Sequence, residues 1–280
     1  METTLYVGLI IFFVAAAVYI QGAAINIATT LYLHRAMTHI SVRFHWLVQF
    51  PMRFTIWFWN GILVKGWTGV HEVHHAHTDL PGDPHSPREH GVLCAPIDAA
   101  HAATALWEKL MVRLLKVCPH GFGITIKNYA YYMKASGLPE IIAHGRAPAD
   151  WLERHWFSRA RALGPFILLP LSQVVLAWWL FGWWGIPLGL LNWGLLLLWT
   201  VLSGGIVNGL GHSAPKINPK TRDYSRNLPR WLNWIVFGEQ NHHDHHSFPG
   251  RWQFGSHDLG ALIIKVLLKL RLAQVNIRPN

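Results

Sequence analysis

Residues 162–207 read ALGPFILLPLSQVVLAWWLFGWWGIPLGLLNWGLLLLWTVLSGGIV, without one charged side chain. A bilayer core is crossed by roughly 20 apolar helical residues, so this run is long enough for two passes. The segment GWWGIP at 182–187 divides it: Gly and Pro break helices, and paired Trp suits a membrane interface. A second uncharged run, residues 3–33, reads TTLYVGLIIFFVAAAVYIQGAAINIATTLYL and allows one pass with about ten residues to spare. A cleaved signal peptide fits it poorly, because it lacks a basic leading region and its apolar stretch is too long.

Working outward, 51% of the 280 residues are apolar and 14% charged, against about 25% charge in ordinary soluble domains. The expected fold is an all-α integral membrane protein forming a single domain over 1–280. Three full spans are expected, about 5–30, 165–181 and 187–207. Net charge is +10, and every Lys and Arg falls within 34–161 or 213–280. The positive-inside rule accounts for that excess, so no nucleic-acid partner is expected. The rule places the N-terminus and the 182–187 turn outside, and residues 67–161 and 208–280 in the cytoplasm. Cys94 and Cys118 are too few for a disulfide scaffold and lack zinc spacing.

Residues 44–66, FHWLVQFPMRFTIWFWNGILVKG, are apolar but carry Arg53 at the centre, with Pro51 and Lys65. A central arginine costs about 2.5–3.5 kcal/mol on insertion scales. An interfacial or shallow re-entrant helix is therefore expected there, which leaves everything between the first and second spans on one side.

The chain has 19 histidines, and several fall in short windows. HRAMTH spans His34 to His39, HEVHH spans His71 to His75, and HHDHH spans His242 to His246. NGLGH adds Asn208 and His212. On a helix, positions i, i+3 and i+4 share a face. His71, His74 and His75 therefore point together, as do His242, His245 and His246, and Asn208 with His212. His34 and His39 diverge by about 140° on an ideal helix and meet only if that turn is distorted. Nine imidazoles exceed the four ligands that satisfy a zinc ion and suit two ions. Imidazole accepts iron, zinc, copper or nickel. The isolated His45, His85, His90, His101, His120, His144, His155 and His257 read as structural or surface groups. His77 and His243 lie off the shared faces.

HRAMTH, HEVHH and HHDHHSFP, in that order relative to the apolar runs, resemble the three histidine boxes of the membrane fatty acyl desaturases. NGLGH resembles the Asn-x-x-x-His of the stearoyl-type delta-9 enzymes, and GDPHSP at 82–87 is similar to a stretch they carry after the second box. The resemblance covers about residues 30–255. It implies two iron ions held by His34, His39, His71, His74, His75, His212, His242, His245 and His246, with Asn208 acting through water. It also implies an O2-dependent oxidoreductase that inserts a cis double bond into a saturated acyl chain. The substrate would arrive as a CoA thioester, a carrier-protein thioester or a phospholipid. Trp67, one helical turn before His71, is a candidate for lining the acyl site. Ligating histidines usually donate their second N–H to an acid. Glu239 and Asp244 are candidates for that role, with Glu72, Asp79 and Asp83 around the second box.

The chain has room for one span before the first box, where the family usually has two and four in all. It also shows nothing like the His-Pro-Gly-Gly stretch of an appended haem domain. Electrons would then come from a separate ferredoxin, rubredoxin or cytochrome, steered by the basic face. The compact form points to a bacterial inner membrane with the site on the cytoplasmic side. The alternatives are a hydroxylase of alkane, sterol or carotenoid substrates and, less well matched, a metal transporter, whose ligands should sit near the bilayer midplane. Reporters fused after residue 38 and after residue 67 should both read cytoplasmic; opposite sides would separate the first two boxes.

Overall fold

A computed structural model describes residues 2–87 and 120–276. Cys94, Cys118, His90 and His101 lie outside these residues. Helix α1, Glu2–Ala28, runs directly into π-helical turns over Thr29–Thr38. Strand β1, Val42–Phe44, is followed by α2, Trp46–Thr55, which continues to Asn60, and by α3, Val64–His77. Then come α4, His120–Ala135, and α5, Pro139–His144. The long apolar run forms α6, Leu169–Phe181, and α7, Gly185–Gly205, extended by a π-helical turn over Ile206–Leu210. Short helices α8, Asn233–Val236, and α9, His242–Ser247, precede α10, Leu259–Lys269, and strand β2, Ala273–Val275. The all-α reading holds, apart from the short antiparallel β1–β2 pair, in which Phe44 faces Ala273.

Among the described residues, two helical stretches are long and apolar enough to cross a membrane, Val7–Thr38 and Gly164–Leu210. Their outward side chains are apolar: Phe12 is 64% exposed and Trp179 76%. Contiguous exposed apolar surface of this kind suits lipid rather than water. The second stretch folds back at Gly182–Trp184, where Gly182 takes φ +60. Helices α6 and α7 then pack closely, since a Cβ on Gly185 would stand 2.0 Å from the Ala177 carbonyl oxygen. Small residues permit this approach where packing rather than water exclusion drives association.

The expectation of one helix over 44–66 needs correction. Residues 42–44 form a strand, α2 ends after Asn60, and residues 64–66 already belong to α3. The cause is Gly61, in the left-handed conformation at φ 58, whose N–H closes the end of the preceding helix on Ile56 and Trp57 carbonyls. That break redirects α3 toward the end of α1. Arg53 does not reach for solvent either. It is buried, with Nη1 and Nη2 bonding the Asp150 carboxylate at 2.7 and 2.9 Å and Nη2 reaching Glu153 at 3.3 Å. Paired carboxylates offset the desolvation that argued against a span. The exposed face of α2 carries Trp46, Leu47, Phe50 and Phe54.

One core cluster joins the π-helical turns after α1 (Leu31, Tyr32, Leu33) to Phe44, Ile56, Val64 and Ile264. It fixes the C-terminal end of α1 against α2, α3 and α10, the elements around the histidines. Arg53→Ala would strand Glu153, whose side chain is only 4% exposed. Losing one member of a buried pair costs about 3–5 kcal/mol, so the unfolding temperature in detergent should drop clearly. Asp150→Ala should cost less, because Asp150 is 45% exposed. Equal, small effects of the two substitutions would remove the pair from the structural core.

Candidate metal centre

Four chain segments bring nine histidines into two groups. His34, His39, His71, His75 and His245 form one, and His74, His212, His242 and His246 the other; within each, one ring nitrogen per residue lies within 4.8 Å of all the rest. The π-helical turn solves the divergence of His34 and His39. The His39 N–H donates to the His34 carbonyl at 3.0 Å, an i→i+5 bond, and residues five apart are then stacked one turn above another. Their rings stand 4.9 Å apart. Helix α3 is regular, so His71 and His75 face one group while His74 faces the other. Helix α9 divides the opposite way, His245 to the first group and His242 with His246 to the second.

The Nε2 atoms point inward. His75 Nε2 is 3.0 Å from His71 Nε2 and 2.9 Å from His245 Nε2, and His34 Nε2 is 3.0 Å from His245 Nε2. In the second group His212 Nε2 lies 3.1 Å from His74 Nε2 and 2.8 Å from His242 Nε2. Carboxylates hold four outer nitrogens. His34 Nδ1 meets Glu239 at 2.7 Å, His74 Nδ1 meets Asp83 at 2.9 Å, His212 Nδ1 meets Asp79 at 2.9 Å and His246 Nδ1 meets Asp223 at 3.2 Å. A neutral imidazole that donates from Nδ1 keeps a lone pair on Nε2. With both rings neutral, His74 and His212 therefore aim two lone pairs at one another, which is no hydrogen bond. His246 Nε2 is buried with no hydrogen-bond partner among the described residues. A metal cation answers both observations, and the donor set fits one in each group.

Electrostatics favour the ligating form at several of these rings, whereas at His74 burial is outweighed by the Asp83 carboxylate, which raises the pKa. Burial, then the neighbouring imidazoles, push His71, His75 and His245 well below the ordinary imidazole pKa, and neutral imidazole is what binds metal. Burial alone would raise Asp79, but hydrogen bonds from His212, Ser86 and the Tyr224 N–H outweigh it and hold the carboxyl at about 2. Asp79 therefore contributes stability that is present above the ordinary carboxyl pKa of 3.8 and lost as pH falls toward 2. Asp83 is also lowered, burial being overcome by His74.

The remaining candidates fall in different places. Glu239 meets His34. Trp67 stacks on His71, ring centroids 5.2 Å apart at 15°, and lines a cavity among α1, α4 and α7 that reaches His34, His71 and His242. Asn208 lines the same cavity, its amide donating to the Gly204 carbonyl. Asp244 sits inside the third box but turns away, its carboxylate lying against Gly255. Glu72 pairs with Arg146. Asp223 is the group sequence reasoning missed. It lies in the irregular segment before α8, and no local spacing links it to His246. His85 is buried against His74, with ring centroids 4.5 Å apart.

The sequence model of the fatty acid desaturase family matches residues 6–268. Among similar proteins, delta-9 desaturase-like 2 protein of Arabidopsis thaliana is 25% identical over 80% of this chain and 62% of its own length. Delta-9 desaturase-like 3 protein of the same plant is 24% identical over 84% and 65%. Hex-5-enoyl-[acyl-carrier protein] acetylenase of Moorena producens (strain JHB) is 27% identical over 75% and 60%. The chain thus spans less than two thirds of the length of these relatives.

Replacing Asp79 by Asn removes the charge that holds His212 in its tautomer. Metal affinity, read by chelator competition, should fall about 10–100-fold, while Asp244→Asn should leave it unchanged. The reverse order would show that the observed carboxylate contacts do not govern the site.

Proposed function

The chain belongs to the fatty acid desaturase family, and on that premise we propose that it is a membrane acyl desaturase of the delta-9 type with a pair of irons. The nine histidines are its ligands, and Asn208 acts through water. Residues 1–280 form one domain. Helix α1 and the α6–α7 hairpin give three passes, with the histidines on the cytoplasmic face of a bacterial inner membrane. The observation that carries this reading is the meeting of two groups of buried and half-buried imidazoles beside a cavity that His34, His71 and His242 line.

The reaction consumes a saturated acyl chain, O2, two electrons and two protons, and releases the cis-unsaturated chain and two waters. Bound iron supplies the oxidising power, which no side chain has toward an unactivated methylene. The protein's part is position and dryness. Trp67, Tyr129 and Tyr132 wall the cavity, and Trp67 also buttresses the His71 ring. Methylenes along a chain are chemically alike, so the bond attacked is set by where the cavity holds the chain. Glu239, Asp79, Asp83 and Asp223 keep the outer imidazole protons in place, so the inner nitrogens stay free to bind metal. The acyl group is carried on CoA, a carrier protein or a phospholipid; the similarity to an acyl-carrier-protein acetylenase supports the carrier-protein form. Electrons come from a separate ferredoxin, rubredoxin or cytochrome.

Purified protein should hold about two irons per chain. Expression in a host should add cis unsaturation at the ninth carbon, located by mass spectrometry of its lipids. His74→Ala and His245→Ala should each abolish it while the protein still enters the membrane. One tight zinc without iron would refute the metal assignment. Hydroxylated rather than unsaturated lipid would reassign the chemistry to a hydroxylase.

A further inference from the structure

The irregular segment between the α7 extension and α8 carries Lys216, Lys220, Arg222, Arg226 and Arg230, all exposed, while its acid, Asp223, is buried on His246. This segment packs beside α9: Asn227 accepts from the His243 N–H, and Asn218 bonds the His243 ring. Phe248, at the end of α9, is sandwiched between Lys220 at 3.9 Å and Arg251 at 3.8 Å from its ring centre. The two cations are thus held on the surface in fixed places, and the patch continues from one segment to the next.

Arg251 begins a loop, residues 251–256, that forms a shallow surface depression with Trp252, Gln253, Gly255 and Ser256. Phe254, between these residues in sequence, is 1% exposed. Its ring lies 4.6 Å from the His245 ring and 5.4 Å from the His34 ring, with the Arg35 guanidinium 4.0 Å from its centre. Through Phe254 the loop therefore packs directly against two rings of the group of five imidazoles, His245 and His34. A positive face this close to the histidines favours an anionic partner whose business is with the metal rather than with the acyl cavity.

We propose that Lys220, Arg251 and the flanking cations of the 216–230 segment form the docking face for an acidic one-electron carrier protein, with Phe254 as the layer its electrons cross. This rests on reading the two histidine groups as a redox metal centre. Each docking delivers one electron from the reduced carrier, and two dockings supply the two electrons of one turnover.

The test uses the full-length, iron-loaded protein in detergent, with a reduced plant-type [2Fe–2S] ferredoxin as the acidic carrier and dithionite as a small reductant. Ferredoxin affinity and the rate at which it reduces the oxidised centre should both fall as salt rises from about 50 to about 500 mM. Lys220→Glu with Arg251→Glu should weaken ferredoxin binding at low salt by about tenfold or more. Iron content and reduction by dithionite should stay as in the wild type. Arg154→Glu with Arg159→Glu, an equal change of charge on the segment packed against α2, should leave ferredoxin binding unaltered. Unchanged binding in the first pair, or equal loss in both pairs, would overturn the proposal. So would loss of acyl-carrier-protein binding with ferredoxin unaffected, which would assign the face to the substrate carrier. A wild type without iron would count against the metal reading, and the ferredoxin affinities would still decide the docking face.

Discussion

Imidazole lone pairs directed into one small buried volume repel one another, and much of this fold serves to hold them there. Two groups, five and four, converge from the turns after α1, from α3 and α9, and from just past the α7 extension. The carboxylates that pin them come from elsewhere, and each is itself supported. Asp79 accepts from the Tyr224 N–H and Ser86, Asp83 from the Asp79 and His85 N–H groups, and Asp223 from Thr221 and Ser225. Hydrogen bonds thus run outward from the histidines through several layers. An unsatisfied group in such a network is costly at low dielectric, so the layers stand or fall together.

Arg35 ties the first box to the C-terminal segment. It is fully buried, and Nη2 bonds both oxygens of Asp258 at 3.1 and 3.0 Å while Nε donates to the Trp252 carbonyl at 3.0 Å. It also lies 3.5 Å from Glu239, the partner of His34. A residue inside the HRAMTH box, set between two histidines, therefore works as a clamp and not as a ligand. Arg53 does the same for α2 through Asp150 and Glu153. Both explain how a chain so poor in charge keeps buried arginines: each has its own carboxylates, which offset the loss of water.

His34 connects the two sides of the proposed chemistry. It lines the cavity among α1, α4 and α7, and it also packs against Phe254 beneath the 251–256 loop. Substrate space and the cationic face thus approach the same imidazole from different neighbours. On the proposed reading, such separation would let an acyl chain and a protein partner be bound at the same time, each recognised by its own physics: apolar burial on one side, charge on the other.

Much of this was legible in the residues alone. The uncharged runs, the nine clustered histidines and the break at GWWGIP follow from hydropathy and from which positions share a helix face. Glu239, three residues before His242, was marked as an acid near the site, but it holds His34, a contact that spacing does not show. The expectation that 44–66 is one helix missed the left-handed Gly61. Helical spacing showed that His34 and His39 could meet only on a distorted turn, and the π-helical turn, set by the packing around it, supplies that distortion. Asp244 had the right neighbours in sequence and the wrong direction in space, whereas Asp223 had the reverse. By itself the sequence determined which imidazoles are available and which of them lie on one helix face, since that is local geometry. Only the tertiary structure decided how each triplet divides between the two groups and which acid holds which ring, because those contacts join segments far apart along the chain.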